Sequence, residues 1–181
     1  MKQTPLSRLV MAALFAALTC IATLVIQLRV APTGGYVNLG DCGVLLSAWL
    51  LSTPYAVAAA AVGSALADLV AGYAYYAPAT LVIKALMALL GGAVFRFCAR
   101  RSPSGRAGAA GCILSAAAAE AVMACGYCAY ECFVLGLGSA ALLGMIGNAV
   151  QAVCGIVSAT AVYTLLRRSR ALDARLDQLR K

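Results

Sequence analysis

Apolar runs long enough to cross a bilayer follow one another along this chain with barely a polar segment between them. They cover about 6–28, 55–72, 79–97, 108–132 and 139–166, and a hydrocarbon core of about 30 Å takes roughly 20 apolar residues per helix. With 64% of its 181 residues hydrophobic and 11% charged, the chain does not suit a soluble core, and an integral membrane protein remains. Backbone groups in lipid must be satisfied within their own segment, so these runs predict helices and an all-α membrane protein. Nothing is left over for a separate soluble domain, and residues 1–181 are expected to form one membrane domain.

The net charge of +8 raises nucleic-acid binding, but the placement of the charge answers it. Of the 14 Lys and Arg, 12 fall at Lys2 and Arg8, in the cluster from Arg96 to Arg106, and in the tail from Arg167 to Lys181. That is the positive-inside pattern with both termini and the 96–106 loop cytoplasmic. The run after Arg8 is longer than a signal-peptide core, so it is expected to stay as the first helix. A sixth span at 42–51 keeps the two ends on one side; it has only 10 residues, too few unless its ends are buried in protein. Residues 29–41 form the first loop, Ser52-Thr53-Pro54 a turn, and the Tyr-rich segment 73–78 an interfacial turn. The tail 167–181 places Leu172, Leu176 and Leu179 on one side, as a surface-lying or a plainly solvated helix would.

Three ionisable residues, Asp68, Lys84 and Glu120, fall inside the spans. A charge at the bilayer centre costs at least ~2.5–3.5 kcal/mol, so such residues mark partners or sites. Asp68 and Lys84 count to similar depths below the outer side, which predicts an ion pair pinning two helices, with ligand contact from outside a compatible role. Glu120, Tyr127 and Glu131 are spaced by 7 and 11 residues and project within roughly 40° of one another on a regular helix. Asn148 and Gln151 on the last span count to the depth of Glu120, which suggests a polar chamber open to the outside, although buried amides also simply join helices.

On the first span Ala12, Ala13, Ala16 and Ala17 form two overlapping small-xxx-small pairs that permit close helix approach, within the protein or against another subunit. Eight cysteines include a C-x-x-C at Cys125 and Cys128. In an Ala- and Gly-rich chain cysteine serves as small apolar filler; the rival reading is a membrane thiol–disulfide oxidoreductase. There is no histidine, no phosphate-binding glycine loop and no metal-ligand cluster, so no catalytic centre, cofactor or metal is expected.

Three segments carry a family resemblance: Gly35-Tyr36-Val37-Asn38-Leu39-Gly40-Asp41, the stretch from Gly63 through Ala67-Asp68 to Gly72-Tyr73, and Ala77-Pro78-Ala79-Thr80-Leu81-Val82-Ile83-Lys84. Together they resemble the membrane S components of energy-coupling factor (ECF) vitamin transporters, nearest to the riboflavin, pyrimidine and pyridoxine types. The resemblance implies six transmembrane helices with both termini cytoplasmic, in a prokaryotic cell membrane. It implies a binding subunit, not an enzyme, with the substrate site near the outer face. It also implies an A-x-x-x-A surface, here Ala12/Ala16 or Ala13/Ala17, docking on a coupling transmembrane protein that works with two ATPase subunits. Expected substrate contacts are Asn38, Asp41, Tyr76, Lys84, Glu120, Tyr127, Glu131, Asn148 and Gln151, with Asp68 holding Lys84. The expected substrate is a B6 vitamer, a thiamine-related pyrimidine or riboflavin.

Overall fold

The computed structural model describes residues 4–29, 36–102 and 107–169. Six α-helices build it: α1 (Pro5–Val25), α2 (Gly40–Leu50), α3 (Thr53–Val70), α4 (Ala77–Arg101), α5 (Ala109–Ala129) and α6 (Ala141–Arg168). Proline stands in the first turn of α1, α3 and α4, where its missing N–H has no helical partner to lose. Five of the helical segments are long and apolar enough to cross a membrane. Leu6, Leu14, Ile21, Leu81, Ile146 and Val157 are among many large apolar side chains exposed along them. A continuous apolar surface of that extent belongs against lipid. The chain is an integral membrane protein with an all-α bundle.

Two features were not expected from the sequence. Between α1 and α2 the chain forms a small antiparallel hairpin, β1 (Gln27–Arg29) with β2 (Tyr36–Asn38), pairing Gln27 with Asn38 and Leu28 with Val37. After α5 the helix widens into one π-turn, Tyr130–Val134, and a 3₁₀ turn at Gly138–Ala140 leads into α6. The π-turn carries Glu131, so the regular 100° count from Glu120 does not extend to it. Helix α4 also runs on to Arg101, placing Arg100 and Arg101 in its last turn, where cations offset the helix dipole. The leucine-bearing tail expected at 167–181 lies outside the described residues from position 170 on.

The short helix sets the geometry of the site. At 11 residues, α2 is about 16 Å long, half of what a span requires. It turns at Leu51-Ser52 directly into α3 and is buried along most of its length against α1, α3, α4 and α6. Its N-terminal end therefore stops near mid-height, and the hairpin follows it down into the bundle. Close helix contact makes room for this: a Cβ on Gly63 of α3 would stand 2.4 Å from the Ala16 carbonyl of α1. Ala12 is buried and Ala16 half-buried in this contact, whereas Ala13 and Ala17 stay exposed. The inner pair thus packs inside the chain, and of the two alternatives only Ala13/Ala17 lies open at the surface.

The end of the bundle that gathers Arg100, Arg101, Arg167 and Arg168 (the basic end) has an aromatic core. Trp49 stacks on Phe95 at 5.5 Å, and Tyr163 meets both rings edge-on at 5.5 and 5.4 Å. Trp49 Nε1 donates to Ser115 Oγ at 2.8 Å, and that hydroxyl donates to the Gly91 carbonyl at 2.7 Å.

Candidate functional site

The opposite end, under the hairpin, is polar inside. Asp41 occupies the first turn of α2 and is fully buried, where the exposed N–H groups of the helix terminus favour an anion. One carboxylate oxygen forms a salt bridge with Lys84 Nζ of α4. The other accepts from Gln151 Nε2 of α6 at 2.6 Å. Gln151 Oε1 in turn accepts the backbone N–H of Asn38 at 2.9 Å, and Asn38 Oδ1 accepts from Gly40 N at 2.8 Å. Met123 Sδ of α5 lies 3.5 Å from Lys84 Nζ and 3.2 Å from Gln151 Nε2. The hairpin, α2, α4, α5 and α6 thus converge on one hydrogen-bonded cluster.

Lys84 is 3% exposed, and its partner is Asp41, not Asp68. The expected Asp68–Lys84 ion pair is corrected accordingly: Asp68 Oδ1 accepts from the Tyr36 hydroxyl, and Lys84 acts on Asp68 only through space. The reason is the short α2. Counting depth along the sequence leaves Asp41 in an outer loop, while the fold lowers it beside Lys84. Burial, and then the Asp68 carboxylate, hold the Tyr36 hydroxyl well above the ordinary tyrosine range, so it remains a donor.

Glu120 of α5 is 3% exposed, and neither of its carboxylate oxygens receives a hydrogen bond among the described residues. Asp41 and Lys84 are its charged neighbours. Space for it comes from Gly155 of α6, where a Cβ would fall 2.5 Å from Glu120 Oε1 and 3.1 Å from Asp41 Cβ. Any larger residue there would displace the Glu120 carboxylate or crowd Asp41.

Toward the hairpin end the lining turns aromatic. Tyr127 OH and Thr80 Oγ1 share a hydrogen bond at 3.0 Å, and the Tyr127 ring centroid lies 5.7 Å from Lys84 Nζ. Tyr76 OH donates to Glu131 Oε1 at 2.9 Å. Tyr36 contacts Tyr73 at 4.7 Å between ring centroids, Tyr75 contacts Tyr76 at 4.9 Å, and Tyr130 contacts Tyr76 at 5.6 Å. Tyrosines from the hairpin, the 73–76 turn and the π-turn make a cap over the polar cluster.

The structure therefore brings Asn38, Asp41, Lys84, Glu120, Tyr127 and Gln151 into one neighbourhood and puts Tyr76 and Glu131 in the cap. Asn148 is half-buried and joins none of these hydrogen bonds. Thr80, Met123, Tyr36 and Gly155 were missed. Thr80 and Met123 were within reach of helical spacing, one turn from Lys84 and from Glu120 respectively. All eight cysteines are free, with Cys125 exposed and Cys128 half-buried.

The family model for the S component of ECF-type riboflavin transporters matches residues 4–168. No curated protein sequence matches the chain significantly.

Proposed function

The chain belongs to the ECF-type riboflavin transporter S-component family, a family of substrate-binding transport subunits, and from this we propose that the cluster under the hairpin is its vitamin site. The observation that carries the reading is Glu120. A buried acceptor without a donor costs about 1–3 kcal/mol, more when charged, and the neighbouring Asp41, Lys84 and Gln151 already answer one another. A ligand N–H or O–H reaching Glu120 would remove that cost.

The paired groups suggest the ligand's form. Lys84 is already neutralised by Asp41, so the site offers alternating donors and acceptors (Lys84, Gln151, Asn38, Asp41) to a flat ring edge. A neutral heterocycle with an N–H between carbonyl oxygens, as in riboflavin, suits this better than a B6 vitamer or a thiamine-related pyrimidine. Tyr127 and the tyrosine cap would cover the ring face, each aromatic pair adding about 0.5–1.5 kcal/mol.

In this reading the basic end is cytoplasmic and the hairpin end faces outward. The vitamin enters from outside and is enclosed beneath β2 and the tyrosine cap; residues 30–35 of the first loop, expected to help close the site, lie outside the described residues. Release inward requires a coupling transmembrane protein and two ATPase subunits, with the exposed Ala13/Ala17 face as the docking surface on α1. The test is mass spectrometry of the small molecule carried through a mild-detergent purification of the full chain. Recovery of a stoichiometric flavin is the expected result. Recovery of only a lipid or quinone, with no vitamin bound on addition, would overturn the proposal.

A further inference from the structure

A groove on the lipid-facing side of α6, running from just beyond Gly155 toward the basic end, has the features of a second binding site. It lies between α5 and α6, has a volume of about 490 Å³, and is lined by residues including Ile113, Ile156, Thr160, Ala161, Thr164 and Arg168. Its walls are largely apolar: the Thr164 hydroxyl turns back onto the Thr160 carbonyl of its own helix at 2.7 Å, leaving its methyl group outward, while Thr160 Oγ1 has no hydrogen-bond partner among the described residues. Val157 and Leu165 in the same wall are each 63% exposed, as side chains facing hydrocarbon would be.

Two properties select the occupant. From Ile156 to Arg168 the groove runs twelve residues along α6, about 18 Å, which matches one leaflet of a hydrocarbon core roughly 30 Å thick. It also ends at the exposed Arg168, in the helix turn shared with Arg167 and at the end that gathers Arg100 and Arg101. A protein helix could use the small residues Thr160, Ala161 and Thr164 of the wall, but it would also have to bring an acid to the turn of Arg168. A lipid with a negative headgroup meets both conditions at once.

We infer that this groove seats an acyl chain of an anionic glycerophospholipid from the basic-end leaflet, with the lipid phosphate on Arg168. The site is independent of the vitamin reading and would stand if that reading failed.

The test is native mass spectrometry of the delipidated full chain in detergent, titrated with dioleoyl phosphatidylglycerol or dioleoyl phosphatidylcholine. The unaltered protein is expected to retain the glycerol lipid about fivefold better, the contribution of one interfacial arginine. Arg168→Gln should bring the two lipids level. Ala161→Trp, which fills the groove from an exposed position, should lose both adducts while melting at the unaltered temperature. Equal retention of the two lipids by the unaltered protein would overturn the inference. So would undiminished adducts in Ala161→Trp, or a protein dimer that this change abolishes in the absence of any lipid adduct. Arg168→Gln lies at the surface and keeps the test decisive if the tryptophan variant fails to fold.

Discussion

The two halves of the bundle solve the problem of burying polar atoms in opposite ways. At the basic end Trp49, Phe95 and Tyr163 fill the space between helices, and the one indole N–H is answered by Ser115, itself answered by the Gly91 carbonyl. At the hairpin end the space is filled by Asp41, Lys84, Gln151 and Glu120, drawn from four helices, and Glu120 is left without a donor among the described residues. An aromatic cluster with its polar atoms closed off gives stability and no reason to open. A charged cluster with one open acceptor is costlier to maintain in a low-dielectric interior, and its value lies in what it can bind.

The sharpest way to break this comparison is to remove one charge from the hairpin half. Asp41→Ala leaves Lys84 buried and unpaired and should destabilise the protein by about 3–5 kcal/mol, seen as a collapse of the melting temperature in detergent. Adding Lys84→Met should recover most of that stability and still bind no vitamin, separating the fold's need for neutrality from the site's need for polarity. Trp49→Ala in the other half should cost a similar ~3–5 kcal/mol through the cavity it leaves, yet the folded fraction should keep its vitamin affinity. Glu120→Gln should weaken vitamin binding by about tenfold or more, because an amide NH2 replaces one of the two oxygens offered to the ligand, with the melting temperature unchanged or higher. The smallest effect on the isolated chain is expected for Ala13→Leu with Ala17→Leu: neither stability nor affinity should move, while cellular uptake with the energising subunits present should fall.

The two halves also differed in how far the sequence disclosed them. The long spans were legible because a period-free apolar run has one reading in a membrane, and the arginine clusters agreed with it. Tyr127, Glu120 and Gln151 were legible because helical spacing and depth survive folding on straight helices. Asp41 as the partner of Lys84 was not, because depth was counted from the chain as though every span crossed the full bilayer. The 10-residue span carried the warning: a helix that short pulls the loop before it into the bundle, and Asp41 goes with it. The alignment of Glu131 with Glu120 was not legible for a related reason, since Glu131 lies in a π-turn and the regular angle for eleven residues no longer applies. The Asn38 backbone bond to Gln151 spans 113 residues, a pairing that local pattern does not specify.

The most direct measurement is a titration of the purified full chain with riboflavin, alongside Glu120→Gln and Trp49→Phe, with melting temperatures recorded in parallel. The account expects sub-micromolar binding to the unaltered chain, a loss of at least about tenfold in Glu120→Gln without loss of stability, and lower stability without loss of affinity in Trp49→Phe. Equal affinity in Glu120→Gln and the unaltered chain, or a loss of binding that follows Trp49 instead, would contradict it.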